Sequence, residues 1–120
     1  MSNQLTTDIL ILGPGGAGSM AALHALWRDP SLDITLVSKG GLGKSGCTRM
    51  VQGGYNVVLK APDSIEAHFT DTVKGGAFIN DQDLALTLVE DAPRIVKELE
   101  NRIGCLFDRA ADGAIHQKAF

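Results

Sequence analysis

The sequence has little cysteine, no excess of positive charge and no long apolar run, and each shortage removes a class of function. The two cysteines, Cys47 and Cys105, form no CxxC pair and have no histidine cluster beside them. Neither a zinc site nor a disulfide framework is therefore indicated, and reduced thiols are expected. Eleven Lys and Arg stand against fourteen Asp and Glu, a formal net charge of -3. The interspersed signs offer no basic face for nucleic acid and no polybasic patch for a membrane surface. No apolar stretch approaches the ~20 residues of a membrane span, and the residues from Met1 to Asp8 lack the basic and then apolar regions of a secretory signal. Cytoplasmic residence without direct membrane insertion is the resulting expectation. Internal repeats, low-complexity tracts and linkers are also missing.

What is present is the material of an ordinary globular domain: 120 residues, 44% hydrophobic and 21% charged, enough for one domain at most. Asp8 to Leu12 is a short apolar run of the kind a parallel sheet buries on both faces. Gly13-Pro-Gly-Gly-Ala-Gly18 follows, and Ala17 to Arg28 reads as a helix with Ala17, Met20, Ala21, Leu23 and Trp27 toward the sheet. Asp29-Pro30 ends it, because proline cannot continue the hydrogen-bond ladder. Asp33 to Ser38 reads as a second strand, so Leu5 to Lys39 makes one βαβ unit of the usual ~30 residues, with a right-handed crossover.

Gly40 to Gly54 is glycine-rich and aperiodic, long for a passive connection and suited to a cofactor. Asp63 and Glu66 have capping-box spacing ahead of a helix whose face is Ile65, Phe69, Thr72 and Val73, ending at Gly75-Gly76. Another helix is predicted from Asn80 or Asp81, with Ala85, Leu88, Val89 and Ala92 as its stripe. Pro93 suits the first turn of a further helix carrying Ile95, Leu99 and Ile103 and stopping at Gly104. Cys105 to Phe107 reads as a short strand and Asp112-Gly113 as a turn.

A GxGxxG motif says little by itself, but here it follows a strand pattern and opens a helix. Gly13 permits the tight turn, Gly15 lets backbone approach a pyrophosphate and Gly18 lets helix pack on strand. With Gly16 and Ala17, these residues are the candidate anion cradle, on unpaired amides at a helix amino terminus. The alternative is a glycine turn that binds nothing. Dinucleotide sites usually carry an acid at the end of the second strand, whereas this chain has Ser38-Lys39 there. Lys39 could instead meet the 2′-phosphate of NADP, or Ser38 and Lys39 could hold the adenosine of FAD.

Read together, "DILILGPGGAGSMAAL", "LVSKGGLGKSGCT", "VQGGYN", "DSIEAHFTDTVKGG" and "GCLFDR" resemble the amino-terminal flavin domain of the succinate dehydrogenase, fumarate reductase and L-aspartate oxidase flavoproteins. The resemblance covers nearly the whole chain. It implies an α/β fold, a Rossmann-like FAD-binding βαβ unit followed by helices, with residues 1–120 as the amino-terminal portion of a larger flavoprotein. It also implies that Ser38, Lys39, Gly43, Lys44, Ser45, Gly46, Thr48, Gln52, Gly53 and Gly54 contact FAD. Small residues there let backbone amides reach the flavin ring.

By the same resemblance Cys47 stands where the membrane-bound succinate dehydrogenases carry the histidine that attaches to FAD, so a noncovalent flavin is expected, with Cys47 beside it. Phe120 matches the phenylalanine that succinate dehydrogenases and fumarate reductases place beside a C4 dicarboxylate, where aspartate oxidases place a glutamate. The implied chemistry interconverts succinate and fumarate by hydride transfer at flavin N5, with L-aspartate oxidation as the runner-up. A partner subunit of the iron-sulfur type is implied with it, as is a peripheral position at the inner face of a membrane. Two other readings remain open, an NADP-dependent dehydrogenase domain and a noncatalytic nucleotide-binding module. None of Arg28, Arg49, Arg94, Arg102 or Arg109 matches the family's catalytic motifs, so no catalytic residue and no metal ligand is assigned. His68 is expected to be semi-buried and structural, His116 an exposed loop residue and Cys105 a small core residue.

Overall fold

The computed structural model describes residues 4–44, 46–51 and 53–118. The chain divides into two compact units, Met1–Gly53 and Gly54–Phe120. The first contains β1 (Ile9–Leu12), α1 (Gly16–Arg28), β2 (Ile34–Val37) and a one-turn α2 (Cys47–Met50). β1 and β2 pair in parallel, with Ile9 opposite Ile34 and Leu12 opposite Val37, as the βαβ reading requires. The register is pinned at both ends. The amide of Asp33 donates to the Asp8 carboxylate at 2.8 Å, and the Thr7 hydroxyl donates to the Asp33 carbonyl at 2.8 Å. At the far end the Gly13 amide donates to the Val37 carbonyl at 2.9 Å, carrying the ladder one step past the strands.

α1 stops at Asp29, whose amide still reaches the Ala25 carbonyl while its backbone turns extended, φ -145°. The Asp29 carboxylate accepts the Ser31 hydroxyl at 2.6 Å and the Ser31 amide at 3.0 Å. The hydroxyl foremost, then the amide, hold this carboxyl below its ordinary range. Three expectations need correction. β1 is not buried on both faces: Ile9 and Ile11 are half-buried, but Leu10 is 56% and Leu12 77% exposed, because α1 covers a single side. Nor do Ala17 and Ala21 face the sheet; both are exposed, and Ala22 is the buried residue. Gly18 comes within reach of Ile11 and the Gly13 carbonyl, which turns the stripe of Gly18, Ala22 and Ala25 inward at the helical spacing. The segment expected to be aperiodic contains α2.

The second unit holds α3 (Ile65–Gly75), α4 (Gln82–Glu98) and a π-helical turn, Leu99–Ile103. α3 is capped by Ser64, whose hydroxyl accepts the Ala67 amide at 3.1 Å. The predicted box between Asp63 and Glu66 does not form, since Asp63 accepts the Ser64 amide at 2.9 Å instead. The predicted α3 face is observed, with Ile65, Phe69 and Thr72 half-buried and Val73 buried. At its end the Asn80 side chain donates to the Thr72 carbonyl at 3.2 Å and fills the space a Cβ on Gly76 would need. Asp81 caps α4 as expected, accepting the amides of Asp83 and Leu84 at 3.1 Å each.

α4 buries Ala85, Val89 and Val96, whereas Leu88 is 60% exposed. Pro93 does not open a new helix; it lies inside α4. An interior proline costs about 3 kcal/mol in propensity, and a buried stripe running on from Val89 to Val96 overrides that local preference. Arg94 sits among Asp91 and Glu98 on this stretch, at 3.1 and 3.6 Å. The stop at Gly104 is as predicted, in the left-handed region at φ 85°. Cys105 to Phe107 forms no strand. The chain makes a small loop closed by an antiparallel bridge between Arg109 and Ile115, about the predicted turn, where Asp112 accepts the Ala114 amide at 3.0 Å. Arg109 pairs with Glu100, and Phe107 meets Tyr55 edge to face with ring centres 5.8 Å apart. Cys105 is half-buried, as is His68, while His116 is exposed.

Val89 is fully buried, 0% exposed. Replacing it with alanine removes two methyl groups at about 0.8 kcal/mol each and leaves a small void. Val89→Ala should lower unfolding free energy by about 2 kcal/mol in urea titration, and Leu88→Ala, at the exposed position, by about 0.5 kcal/mol at most.

Candidate functional site

The site begins where β1 ends. Gly13 takes φ 99°, a conformation costly to any residue with a Cβ, and the turn it makes delivers Gly15 to the N-cap position of α1. A Cβ on Gly18 would fall on the Gly13 carbonyl oxygen and lie 3.1 Å from Ile11 Cγ2, so this position is closed to larger residues. Pro14 has no amide to leave unpaired, and its carbonyl accepts the Ser19 hydroxyl at 3.4 Å. The first-turn amides of Gly16, Ala17 and Gly18 have no intrahelical acceptor, and the helix dipole places partial positive charge there.

Beside this helix end lies a cleft of about 620 Å³, within the usual range of ligand pockets. Gly13 and Gly15, from the turn before α1, line it together with Ser38, Lys39, Gly43 and Gly46, from the end of β2 and the loop after it. Six predicted residues, drawn from three separate stretches of sequence, thus share one cavity. Four lining residues escaped the sequence reading: Leu12, Pro14, Val37 and Gly41. A signal for them exists, since strand ends flank the motif and Gly41 lies between two predicted contacts.

The loop after β2 is shaped by turns. Gly43 and Gly46 have φ 68° and 93°; the Lys44 amide donates to the Gly41 carbonyl at 3.0 Å, and Arg49 Nη1 donates to the Lys44 carbonyl at 2.9 Å. The Ser38 hydroxyl accepts the Gly40 amide at 3.3 Å. Cys47 is a free, exposed thiol at the start of α2, and Thr48 Oγ1 accepts the Gly16 amide at 3.0 Å. Gly16, Ala17, Gly18, Lys44, Cys47, Thr48 and Gly53 belong to the same unit but are not among the lining residues. Gly54 belongs to the second unit. Ser45, Gln52 and Phe120 lie outside the described residues. Among the described residues no cluster of His, Cys, Asp or Glu could hold a metal ion, and no helix is long and apolar enough to cross a membrane.

The FAD binding domain family model matches residues 8–120. The chain belongs to that family. FAD is accordingly the cofactor of this domain, and the cleft fits it: it lies beside the amino terminus of α1, with glycines where backbone must approach and a hydroxyl and a cation at the end of β2. The resemblance to the flavin domain of fumarate reductase and succinate dehydrogenase flavoproteins holds as well. An uncharacterized FAD-dependent oxidoreductase of Methanocaldococcus jannaschii is 51% identical over 116 residues, 97% of this chain and 21% of its own. A CoM/CoB fumarate reductase subunit of Methanothermobacter marburgensis is 45% identical, over 94% of this chain and 21% of its own. The solved structure of Escherichia coli quinol fumarate reductase superposes with a TM-score of 0.85 at 37% identity, covering 93% of this chain and 19% of that one. The chain spans about a fifth of the length of these relatives.

The close approach at Gly18 gives a sharp contrast with Gly16, where a Cβ would meet Thr48 at an ordinary 3.5 Å. Gly18→Ala should destabilise the protein by about 2 kcal/mol through forced displacement of backbone and strip it of flavin. Gly16→Ala should keep its melting temperature, since alanine suits a helical position. Thermal melts and flavin-to-protein absorbance ratios measure both.

Proposed function

We propose that this domain holds FAD noncovalently in a flavoprotein oxidoreductase that interconverts succinate and fumarate. The observation that carries the reading is the single cleft joining the Gly13 turn to Ser38, Lys39, Gly43 and Gly46, in a chain whose relatives include fumarate reductases of the CoM/CoB and quinol types. When bound, FAD supplies hydride transfer at its N5. The work of this chain is to bind and orient. With the Gly16 amide already given to Thr48, the amides of Ala17 and Gly18 in the first turn of α1 would receive the pyrophosphate, Ser38 and Lys39 the adenosine side, and Gly43 and Gly46 would keep side chains away from the dinucleotide. Lys44, Ser45, Gln52, Gly53 and Gly54 add contacts in this reading, with Cys47 beside the flavin and Phe120 toward the dicarboxylate. The Methanothermobacter relative is itself one subunit of an enzyme, which supports a partner subunit here. An iron-sulfur protein suits the electron transfer, and through it the flavoprotein takes a peripheral place at a membrane.

Acid precipitation of the intact protein should release its flavin into the supernatant; flavin in the pellet would mean a covalent link at Cys47 and refute the noncovalent reading. With a reduced viologen as donor the protein should reduce fumarate, and it should leave L-aspartate unoxidised under oxygen. Aspartate oxidation without fumarate reduction would replace this reading with the oxidase one. Tight NADPH binding without flavin uptake would assign Lys39 to a 2′-phosphate.

A further inference from the structure

The dinucleotide motif explains Gly13, Gly15 and Gly18 but not the side chain that reaches the loop from α2. The Thr48 hydroxyl accepts the amide of Gly16, the first residue of α1, at 3.0 Å. Its approach is close: a Cβ on Gly15 would meet Thr48 Oγ1 at 3.3 Å. Among the described residues this is the hydrogen bond that joins α2 to α1. The other bonds among the described residues of the segment are internal, from the Lys44 amide to the Gly41 carbonyl and from Arg49 to the Lys44 carbonyl. They shape the segment without fixing its distance from the helix.

We propose that Thr48 is a positioning residue, a latch that ties the glycine-rich wall of the cleft to the amino terminus of α1 before the dinucleotide arrives. The inference rests on reading the cleft as the FAD site. Glycine-rich chain loses much conformational freedom when it orders, and a tie made during folding removes that cost from the binding step. Threonine suits the task better than a freer hydroxyl side chain, because branching at Cβ restricts χ1 and keeps Oγ1 aimed. Glycine at position 15 leaves room for that oxygen.

The test uses the intact protein, stripped of flavin and reloaded. Thr48→Val keeps the shape of the side chain and removes the acceptor; Thr48→Ser restores it. In the flavin-free protein, trypsin should cut after Lys44 several-fold faster in Thr48→Val than in wild type, and at about the wild-type rate in Thr48→Ser. The Kd for FAD should rise roughly fivefold to tenfold in Thr48→Val, the loss of one hydrogen bond, and stay within about twofold in Thr48→Ser. Gly15→Ala, which pushes on Thr48, should weaken FAD less in a Thr48→Ala background than in wild type, a coupling that a double-mutant cycle reads. An unchanged cleavage rate in flavin-free Thr48→Val, or a strictly additive cycle, would overturn the latch. Failure of the wild-type protein to take up FAD would overturn the reading of the cleft instead, and the cleavage comparison, made without flavin, would remain a test of the latch alone.

Discussion

The first unit is organised by one close approach, that of α1 to the turn before it. No Cβ can stand between Gly18 and the Gly13 carbonyl, and because none does, the helix sits directly against the end of β1. From that contact follow the inward stripe of Gly18, Ala22 and Ala25 and the aim of the first-turn amides past the carboxyl ends of the strands. Gly13 serves the arrangement twice. Its positive φ makes the turn, and its amide, bonded to Val37, holds β2 alongside until Ser38 and Lys39 leave the ladder next to the helix end. Ligands of doubly wound sheets gather at this place because strand ends and helix amino termini converge there.

The electrostatics of the cleft agree with that geometry. An acid at the end of β2 would serve a ribose; this chain has instead a hydroxyl and an ammonium group, and the helix end adds partial positive charge. The helix end favours an anionic bridge between two nucleotides, and Ser38 and Lys39 stand toward the adenosine side in the proposed reading. Lys39 is exposed, so its share is screened by solvent and salt, and the larger part falls to fixed amides that need no reorganisation when the anion arrives.

Local chemistry is readable in the sequence wherever neighbouring residues decide the outcome. The Gly13 to Gly18 turn, the stop at Asp29, the Asp81 cap and the left-handed Gly104 all follow from steric or capping rules acting over a few residues. The readings that fail depend on distant partners. Pro93 reads as a boundary because propensity speaks only for its own turn, whereas burial from Val89 to Val96 spans it. Leu88 reads as core and is exposed, because a helix phase set by Ala85, Val89 and Val96 leaves it outside. The outward Leu10 and Leu12 cannot be told from inward residues by an unbroken apolar run. The bond from Thr48 to Gly16 crosses 32 positions, and no periodicity announces such a pair.

That bond bears on a tension within the site itself. A wall rich in glycine suits a large cofactor because it puts backbone, not side chains, at the contact surface, yet the same residues leave the chain little reason to stay in place. Order must then be supplied from the edges of the wall by the few side chains it does carry. Arg49 folds back onto the Lys44 carbonyl and gives the segment its own shape; Thr48 reaches the helix and gives it a location. Cys47, one residue earlier, needs no chemical role to keep its place in α2: it is held between a glycine that turns the chain and a threonine that anchors it.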